Sequence, residues 1–156
     1  MLAGAAAGIV AAGHGAGDQA ALVSAGVAGL AALLPDIDSP HSTLGRTVPV
    51  IPRLLNTTVG HRGPFHSLLF AGLFTAAFAA LVHMDLPLCA SFFAGYVSHL
   101  VLDAFNFQRV PLLWPLKARI GIGLVNSCSA LERYVVLPAV FLCFVWLAFP
   151  LVKNFL

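Results

Sequence analysis

The stretch that most constrains the fold of this chain is residues 95–106, GYVSHLVLDAFN, an apolar segment interrupted by His99 and Asp103. On an α-helix, residues four apart share one face, with their Cβ atoms about 6 Å apart. A charged side chain costs at least about 2.5–3.5 kcal/mol at the centre of a bilayer unless it is paired or hydrated. An imidazole beside a carboxylate also suits a divalent metal. The pair therefore indicates either a metal site or a His–Asp hydrogen bond that joins two helices.

The composition excludes an ordinary soluble fold. Of the 156 residues, 60% are hydrophobic and 9% are charged, whereas soluble domains carry about 25% charged residues. The length allows a single domain over residues 1–156. The sequence has no long basic run and no basic patch interleaved with aromatic residues, so we expect no nucleic-acid partner. The N-terminus lacks the basic region and cleavage site of a signal peptide, so we expect the first apolar stretch to be retained.

Apolar segments separated by turns and polar stretches predict the helices. The apolar segments cover residues 1–17, 20–34, 65–82, 87–106 and 134–152, and residues 13–18, GHGAGD, predict a turn after the first helix. The first is short for a crossing of about 20 residues, but its Ala and Gly residues favour close packing inside a bundle. Pro87 suits the first turn of the fourth helix. We therefore predict an all-α integral membrane bundle of about five transmembrane helices, with polar segments at residues 36–64 and 107–133.

The basic residues predict the orientation. Seven of the eight lie in the two polar segments, which five crossings would place on one side of the membrane with the N-terminus. They are Arg46, Arg53, Arg62, Arg109, Lys117, Arg119 and Arg133. The positive-inside rule then places both polar segments in the cytoplasm. His14 and His83 fall in the turns on the opposite side, and we do not expect them to be ligands.

Asp36 and Asp38 follow Pro35, where the second apolar segment ends. Proline disfavours the helical conformation in the residue before it, so we expect extended or turning backbone here, at the membrane edge. Two carboxylates one residue apart repel each other unless a cation lies nearby, and oxygen ligands suit Mg, Mn or Zn. The alternative is a pair that caps a helix or forms an Asx turn.

A second polar cluster, GHRGPFHS, spans residues 60–67 and contains His61, Arg62 and His66. Pro64 suits the first turn of the third helix, which places His66 near the N-terminus of that helix. There the helix dipole disfavours a protonated imidazole and leaves the neutral form to bind a metal. The planar guanidinium of Arg62 could hold a phosphate or a carboxylate. The alternative is a loop with two incidental histidines.

Glu132 precedes the fifth helix on the same predicted face. It is either an exposed acid paired with Arg133 or a further ligand or general base acting on water at a metal. The sequence contains no GxSxG, HExxH or phosphate-loop motif, and Ser67 and Ser98 have no convincing catalytic triad.

Five motifs together resemble the YdjM-like family. They are LLPDID-x-P-x-S-x-LG at residues 33–45, GHRG-x-x-HS at 60–67, GY-x-SH-x-x-x-D at 95–103, PLLWP at 111–115 and LER at 131–133. The family consists of bacterial inner-membrane proteins described as metal-dependent hydrolases, and is distantly similar to zinc-dependent phospholipase C and P1 nuclease. Family members often begin with a Thr-His ahead of the first helix, whereas this chain begins Met-Leu-Ala-Gly. The resemblance implies either that one ligand is missing or that the true start lies upstream.

The resemblance implies a ligand set. Asp36, His66, His99 and Asp103 are the first choices, followed by Asp38, His61 and Glu132. By the same likeness the metal is zinc, with Mg²⁺ or Mn²⁺ as alternatives. The catalytic roles fall to Arg62, which steadies a phosphate, and to a carboxylate, Glu132 or Asp38, which takes a proton.

The expected function is hydrolysis of a phosphate ester in a lipid or another amphiphile, by water activated at the metal on the cytoplasmic face of the bacterial inner membrane. One alternative is a non-catalytic protein that binds or moves a metal, or a structural membrane component. Transporters hold polar ligands near the bilayer midplane, whereas these residues collect at one edge. The other alternative is amide or ester hydrolysis at the same metal. Membrane lipids are the expected partners, and the oligomeric state stays open.

Overall fold

The computed structural model describes residues 1–12, 17–38, 42, 64–105, 109–116, 118–123, 130 and 132–153. Five α-helices lie within these residues. They are α1 (Leu2–Ala12), α2 (Asp18–Ala31), α3 (Leu68–Leu81), α4 (Leu86–Ala104) and α5 (Leu137–Lys153). Two short 3-10 helices, Pro35–Asp38 and Pro64–His66, adjoin α2 and α3, and a π-helical turn, Glu132–Val136, leads into α5. The described part contains one isolated antiparallel bridge and no strand.

The predicted all-α fold with five helices is confirmed, but five membrane crossings are not. Among the described residues, two helical stretches of 19 residues are long and apolar enough to cross a bilayer, Gln19–Ile37 and Leu86–Ala104. The other three apolar helices are 10–17 residues long, whereas a full crossing takes about 20 residues. The 11 residues of α1 extend only about 16 Å at 1.5 Å per residue.

Small residues allow α1, α2 and α4 to meet backbone to backbone. A Cβ added at Gly4 of α1 would lie 2.5 Å from the Ala32 Cβ, and one added at Gly8 would collide with the Ser24 carbonyl. Gly95 of α4 lies against the backbone of Ala28 in α2, whose carbonyl oxygen Gly4 also approaches. These approaches confirm that the Ala- and Gly-rich first segment packs as an inner helix, since small residues at helix interfaces permit such contact.

Aromatic side chains fill the interface between α3 and α4. The Phe78 and Phe92 rings stack with their centroids 4.5 Å apart, and the Phe74 and Tyr96 rings stack at 6.0 Å. Tyr96 is fully buried in the core cluster, which also contains Leu100. The helix α4 packs against α1, α2 and α3. The 3-10 helix after α2 and the 3-10 helix before α3 contact each other, and the first of them also contacts α4.

The described part of the second polar segment closes the same end of the bundle. Val110 and Ile120 form an antiparallel bridge, with both N···O distances at 2.9 Å. The Leu112 carbonyl accepts a hydrogen bond from the Leu68 N–H at 3.0 Å, at the first residue of α3. The Ile122 N–H donates to the carbonyl of Ala104 at the end of α4. This segment therefore ties the start of α3 and the end of α4 to a common layer.

Candidate metal centre

The 3-10 helix after α2 presents Asp36. Three backbone hydrogen bonds, each between residues three apart, span the end of α2 and this turn. The last is from the Ile37 N–H to the Leu34 carbonyl. Pro35 is fully buried, and the Ser42 hydroxyl donates to the Asp36 carbonyl at 2.8 Å. Of the two conformations expected after Pro35, extended or turning, the turn is the correct one. It places the Asp36 carboxylate at the C-terminal end of α4.

His66 is held by the 3-10 helix that precedes α3. Pro64 begins this 3-10 helix rather than α3 itself, so His66 lies two residues before α3 instead of within its first turn. Ser67 is the N-cap residue, whose hydroxyl accepts from the Phe70 N–H at 3.3 Å and donates to the Pro64 carbonyl at 2.5 Å. Polar N-cap side chains satisfy amide groups that lack a partner within the helix. These bonds fix the turn that carries the imidazole.

His99 and Asp103 lie one turn apart on the last part of α4. Their side chains point toward the same neighbours, as their spacing predicts. His99 Nε2 lies 3.9 Å from Asp103 Oδ2. That separation is longer than a hydrogen bond within the pair, whereas His66 Nε2, from the segment before α3, approaches Asp103 Oδ2 at 3.4 Å, so the alternative of a His–Asp contact that joins two segments stays open.

Asp36, His66, His99 and Asp103 converge at this end of the bundle. His66 Nε2 lies 3.4 Å from Asp103 Oδ2 and 3.9 Å from Asp36 Oδ1. His99 Nε2 lies 3.6 Å from Asp36 Oδ1. One ligand atom from each of Asp36, His66 and His99 lies within 4.8 Å of the others. Three chain segments thus bring two imidazoles and two carboxylates to one point.

These side chains are close enough to share one divalent ion. The four histidine–aspartate distances run from 3.4 to 3.9 Å, and the ligand atoms of Asp36, His66 and His99 all lie within 4.8 Å of one another. His99 Nε2 is buried and has no hydrogen-bond partner among the described residues. A buried polar atom without such a bond is costly. A cation between the two imidazoles and the carboxylates would satisfy it.

The site is partly screened from solvent. The His66 side chain is 1% exposed, those of His99 and Asp103 are 19% and 18% exposed, and that of Asp36 is 37% exposed. The rings of His66 and His99 meet edge to face with centroids 5.7 Å apart. Asp36 therefore lies on the open side of the site, and His66 forms its floor.

The structure brings together the four residues that were the first choices as ligands. The other predicted site residues lie outside what it describes. His61 and Arg62 fall in the undescribed segment 43–63, and for Asp38 and Glu132 only the backbone is described. His83, which we did not expect to be a ligand, is exposed in the turn before α4. His14 lies outside the described residues.

Sequence reasoning gave no role to Tyr96, although it lies in the GY-x-SH-x-x-x-D motif. Its hydroxyl donates a 2.6 Å hydrogen bond to the carbonyl of Phe65, the residue before His66. The sequence feature that could have suggested a role at the site was the position of Tyr96 three residues before His99, on the same helical face. A buried tyrosine hydroxyl in an apolar helix commonly has a hydrogen-bond partner, but the sequence does not show which one.

Comparison with known proteins identifies the family. The model of the YdjM inner membrane protein family matches residues 1–154, nearly the whole chain and all four converging residues. The chain belongs to this family. Inner membrane protein YdjM of Escherichia coli K12 is 34% identical over 137 residues, covering 80% of this chain, and its Shigella flexneri counterpart gives the same values. Protein YvsG of Bacillus subtilis is 31% identical over 120 residues, covering 77% of this chain and 73% of its own length.

This chain spans 66% of the length of the two YdjM relatives, slightly less than two thirds. No solved structure matches it. Membership of the YdjM family confirms the resemblance drawn from the motifs and supports an inner-membrane location. The distant likeness to zinc-dependent phospholipase C and P1 nuclease stays a prediction.

Proposed function

We propose that this YdjM-family chain is a membrane-bound, metal-dependent hydrolase that cleaves a phosphate ester of a lipid or another amphiphile. The observation that carries the proposal is the convergence of two imidazoles and two carboxylates, from three segments of the chain, at one end of an apolar helical bundle. The burial of these ionisable groups between helices is costly unless they bind or react with something.

Asp36, His66 and His99 are the proposed ligands of a divalent metal. Two imidazoles and one carboxylate favour zinc over Mg²⁺, which prefers oxygen ligands and retains several waters. The bound metal would supply Lewis-acid chemistry, polarising a phosphoryl oxygen and making water a better nucleophile near neutral pH. A set of three protein ligands would match catalytic rather than structural zinc sites.

Asp103 is the proposed general base. Its Oδ2 lies 3.4 Å from the His66 Nε2, so its carboxylate lies next to the proposed metal position. Asp36, His66 and His99 could bind the metal without it. A carboxylate at that point can accept a proton from the attacking water. The other role open to Asp103 is that of a fourth ligand, and the two roles differ in whether a neutral Asn at position 103 keeps the metal.

Arg62, His61, Asp38 and Glu132 keep their predicted supporting roles in this proposal. Arg62 and His61 precede Pro64, where the described turn begins, by two and three residues in the sequence. Arg62 holds the phosphate through its planar guanidinium. Asp38 and Glu132 are the further carboxylates that could bind metal or accept a proton.

An amphiphilic substrate is supported by what lies beside the site. An apolar cavity of about 230 Å³ lies between α2, α3 and α4. Its lining residues are Val27, Leu30, Ala31, Leu34, Phe78 and Phe92. Leu34, one of the lining residues, is two residues before Asp36 in the sequence. We propose that the hydrocarbon chain of the substrate enters this cavity while its phosphate reaches the metal.

The proposal includes a multi-pass arrangement with the site facing the cytoplasm. Its support is the distribution of basic residues, since seven of the eight lie in the segments on the side of the site. The shorter helices would complete the bundle by packing against the two 19-residue stretches that are long enough to cross.

A non-catalytic metal site is the second candidate, and the burial of His66 favours it, because structural sites are closed to solvent. Metal transport is less well supported, since transporters place their ligands near the bilayer midplane. Here the ligands lie at the end of α4 and in the turns beside it.

Metal analysis of the purified protein, followed by a screen of lipid phosphates, tests the proposal. We expect about one zinc per chain and metal-dependent release of phosphate or of the phosphorylated headgroup. His99→Ala should lose both the metal and the turnover. A protein that retains zinc but hydrolyses no phosphate, carboxylic ester or amide substrate would support the structural metal site instead.

A further inference from the structure

Tyr96 joins two of the segments that build the site. It lies on α4, three residues before His99 and seven before Asp103, and its side chain is fully buried. Its hydroxyl donates to the Phe65 carbonyl at 2.6 Å. That carbonyl belongs to the peptide group that leads directly into His66. One helix therefore carries His99 and Asp103 and also holds the backbone of His66.

The hydrogen bond holds the backbone of the residue directly before His66. Downstream, the Ser67 cap and the bond from the Leu68 N–H to the Leu112 carbonyl fix the start of α3. The bond from Tyr96 to Phe65 connects the backbone of the 3-10 helix of His66 to α4, while the imidazole itself approaches Asp103 of the same helix at 3.4 Å.

The ring of Tyr96 is fixed independently of its hydroxyl. It stacks on Phe74 of α3 with an interplanar angle of 26°, and it belongs to the buried core cluster. A rigid ring presents its hydroxyl at a defined point, so the bond sets the distance between the Phe65 backbone and α4. To bind one metal, the imidazoles of His66 and His99 must lie close together. The distance between the Phe65 backbone and α4 determines how close they come.

We propose that Tyr96 is a positioning residue of the metal centre, which sets the separation of the His66 and His99 nitrogens through the Phe65 carbonyl. This inference rests on the proposed metal site. Tyr96 does not touch the metal; it acts through the backbone of His66. Residues that orient metal ligands in this way typically contribute about 10–100-fold to metal affinity.

The test compares Tyr96→Phe with Ser91→Ala in the full-length protein in detergent. Tyr96→Phe removes one hydroxyl and leaves the stacked ring. Ser91→Ala is the matched control, since it removes another fully buried hydroxyl of α4, one that donates to the Pro87 carbonyl at 2.7 Å within the helix itself. Zinc affinity, the visible spectrum of the Co²⁺-loaded protein and the melting temperature of the metal-free protein are measured for each.

We expect Tyr96→Phe to weaken zinc binding about 10–100-fold and to alter the Co²⁺ bands, which report coordination geometry. Its metal-free melting temperature should fall no further than that of Ser91→Ala, which should keep wild-type affinity and bands. A zinc affinity within twofold of wild type in Tyr96→Phe, or an equal loss in Ser91→Ala, would overturn the inference. Wild-type protein that binds no metal would instead overturn the proposed function, and this inference with it.

Discussion

The two ends of α4 each carry a histidine and an aspartate, and the surroundings give the two pairs different roles. At the start of the helix, Asp85 is the N-cap residue, whose carboxylate accepts from the Leu88 N–H at 2.9 Å, and His83 is exposed in the preceding turn. At the other end, His99 and Asp103 are mostly buried against Asp36 and His66.

The difference comes from what meets each end of the helix. The turn from α3 into α4 is short, and His83 and Met84 adopt left-handed backbone there, with φ values of 50° and 62°. At the far end, the turns after α2 and before α3 bring one more acid and one more imidazole. The end of α4 with His99 and Asp103 therefore gathers enough ligand atoms to hold a metal ion, because other segments supply further ligands there.

The strongest test of this comparison is His66→Ala against His83→Ala. Removing His66 takes away one of three proposed ligands and leaves a cavity beside His99, so we expect zinc affinity to fall by more than about 100-fold and hydrolysis to fall to background. His83→Ala should bind zinc within twofold of wild type. Isothermal titration or competition with a chelating dye measures both. Equal zinc affinity in the two variants would show that the two ends of α4 do not differ in their contribution to zinc binding.

Asp103→Asn sharpens the role of the carboxylate at the site. If Asp103 is the general base, the variant should keep zinc and lose about 10²–10⁴-fold in turnover, because an amide cannot accept the proton. Asp85→Asn is the control, since Asn caps a helix as well as Asp, and it should keep full turnover. Loss of zinc in Asp103→Asn would show that this residue is a ligand, and unchanged turnover would exclude both roles.

Gly95→Ala tests the close packing on which the site depends. The added Cβ would collide with the Ala28 carbonyl, which forces α2 away from α4 and Asp36 away from His99. Overpacking of this kind costs about 1–3 kcal/mol, so the melting temperature should fall. Gly72→Ala is the matched control, because a Cβ there meets nothing within 4 Å, and a helical Ala is about 0.5–1 kcal/mol more favourable than Gly. Equal melting temperatures would contradict the packing described here.

The smallest expected effect distinguishes two N-caps. Ser67→Ala and Asp85→Ala each remove a side chain that accepts from an amide three residues on, which costs about 1 kcal/mol of stability. Ser67 also holds the turn of His66 through the Pro64 carbonyl. We therefore expect Ser67→Ala alone to weaken zinc binding, by a few-fold. An equal loss of zinc affinity in Asp85→Ala would show that Ser67→Ala weakens zinc binding only by lowering the stability of the whole fold.

Apolar runs and prolines predicted the five helices closely. Pro87 lies in the first turn of α4 as expected, and the predicted segment 65–82 compares with Leu68–Leu81 for α3. Five full crossings stay a prediction, because an apolar segment shows that a helix is buried in something apolar without fixing its length, and two of the described helical stretches are long enough to cross. The helix of the first segment ends at Ala12, directly before residues 13–18, where the sequence predicts a turn.

The ligands were predictable as residue types, but their geometry was not. His99 and Asp103 follow from the helical spacing, whereas the approach of Asp36 and His66 depends on contacts distant in sequence. Gly95 permits the contact with Ala28, and Tyr96 reaches Phe65 across 31 positions. A glycine and a tyrosine in an apolar helix carry no signal that identifies such partners, so only the fold reveals them.

X-ray absorption at the zinc edge, recorded on the zinc-loaded protein, tests the central claim most directly. We predict nitrogen and oxygen ligands at about 2.0–2.1 Å with the outer-shell scattering of two imidazoles, and no bound zinc in His99→Ala. Sulfur ligands at about 2.3 Å, or a wild-type spectrum without imidazole scattering, would contradict a metal centre built from Asp36, His66 and His99.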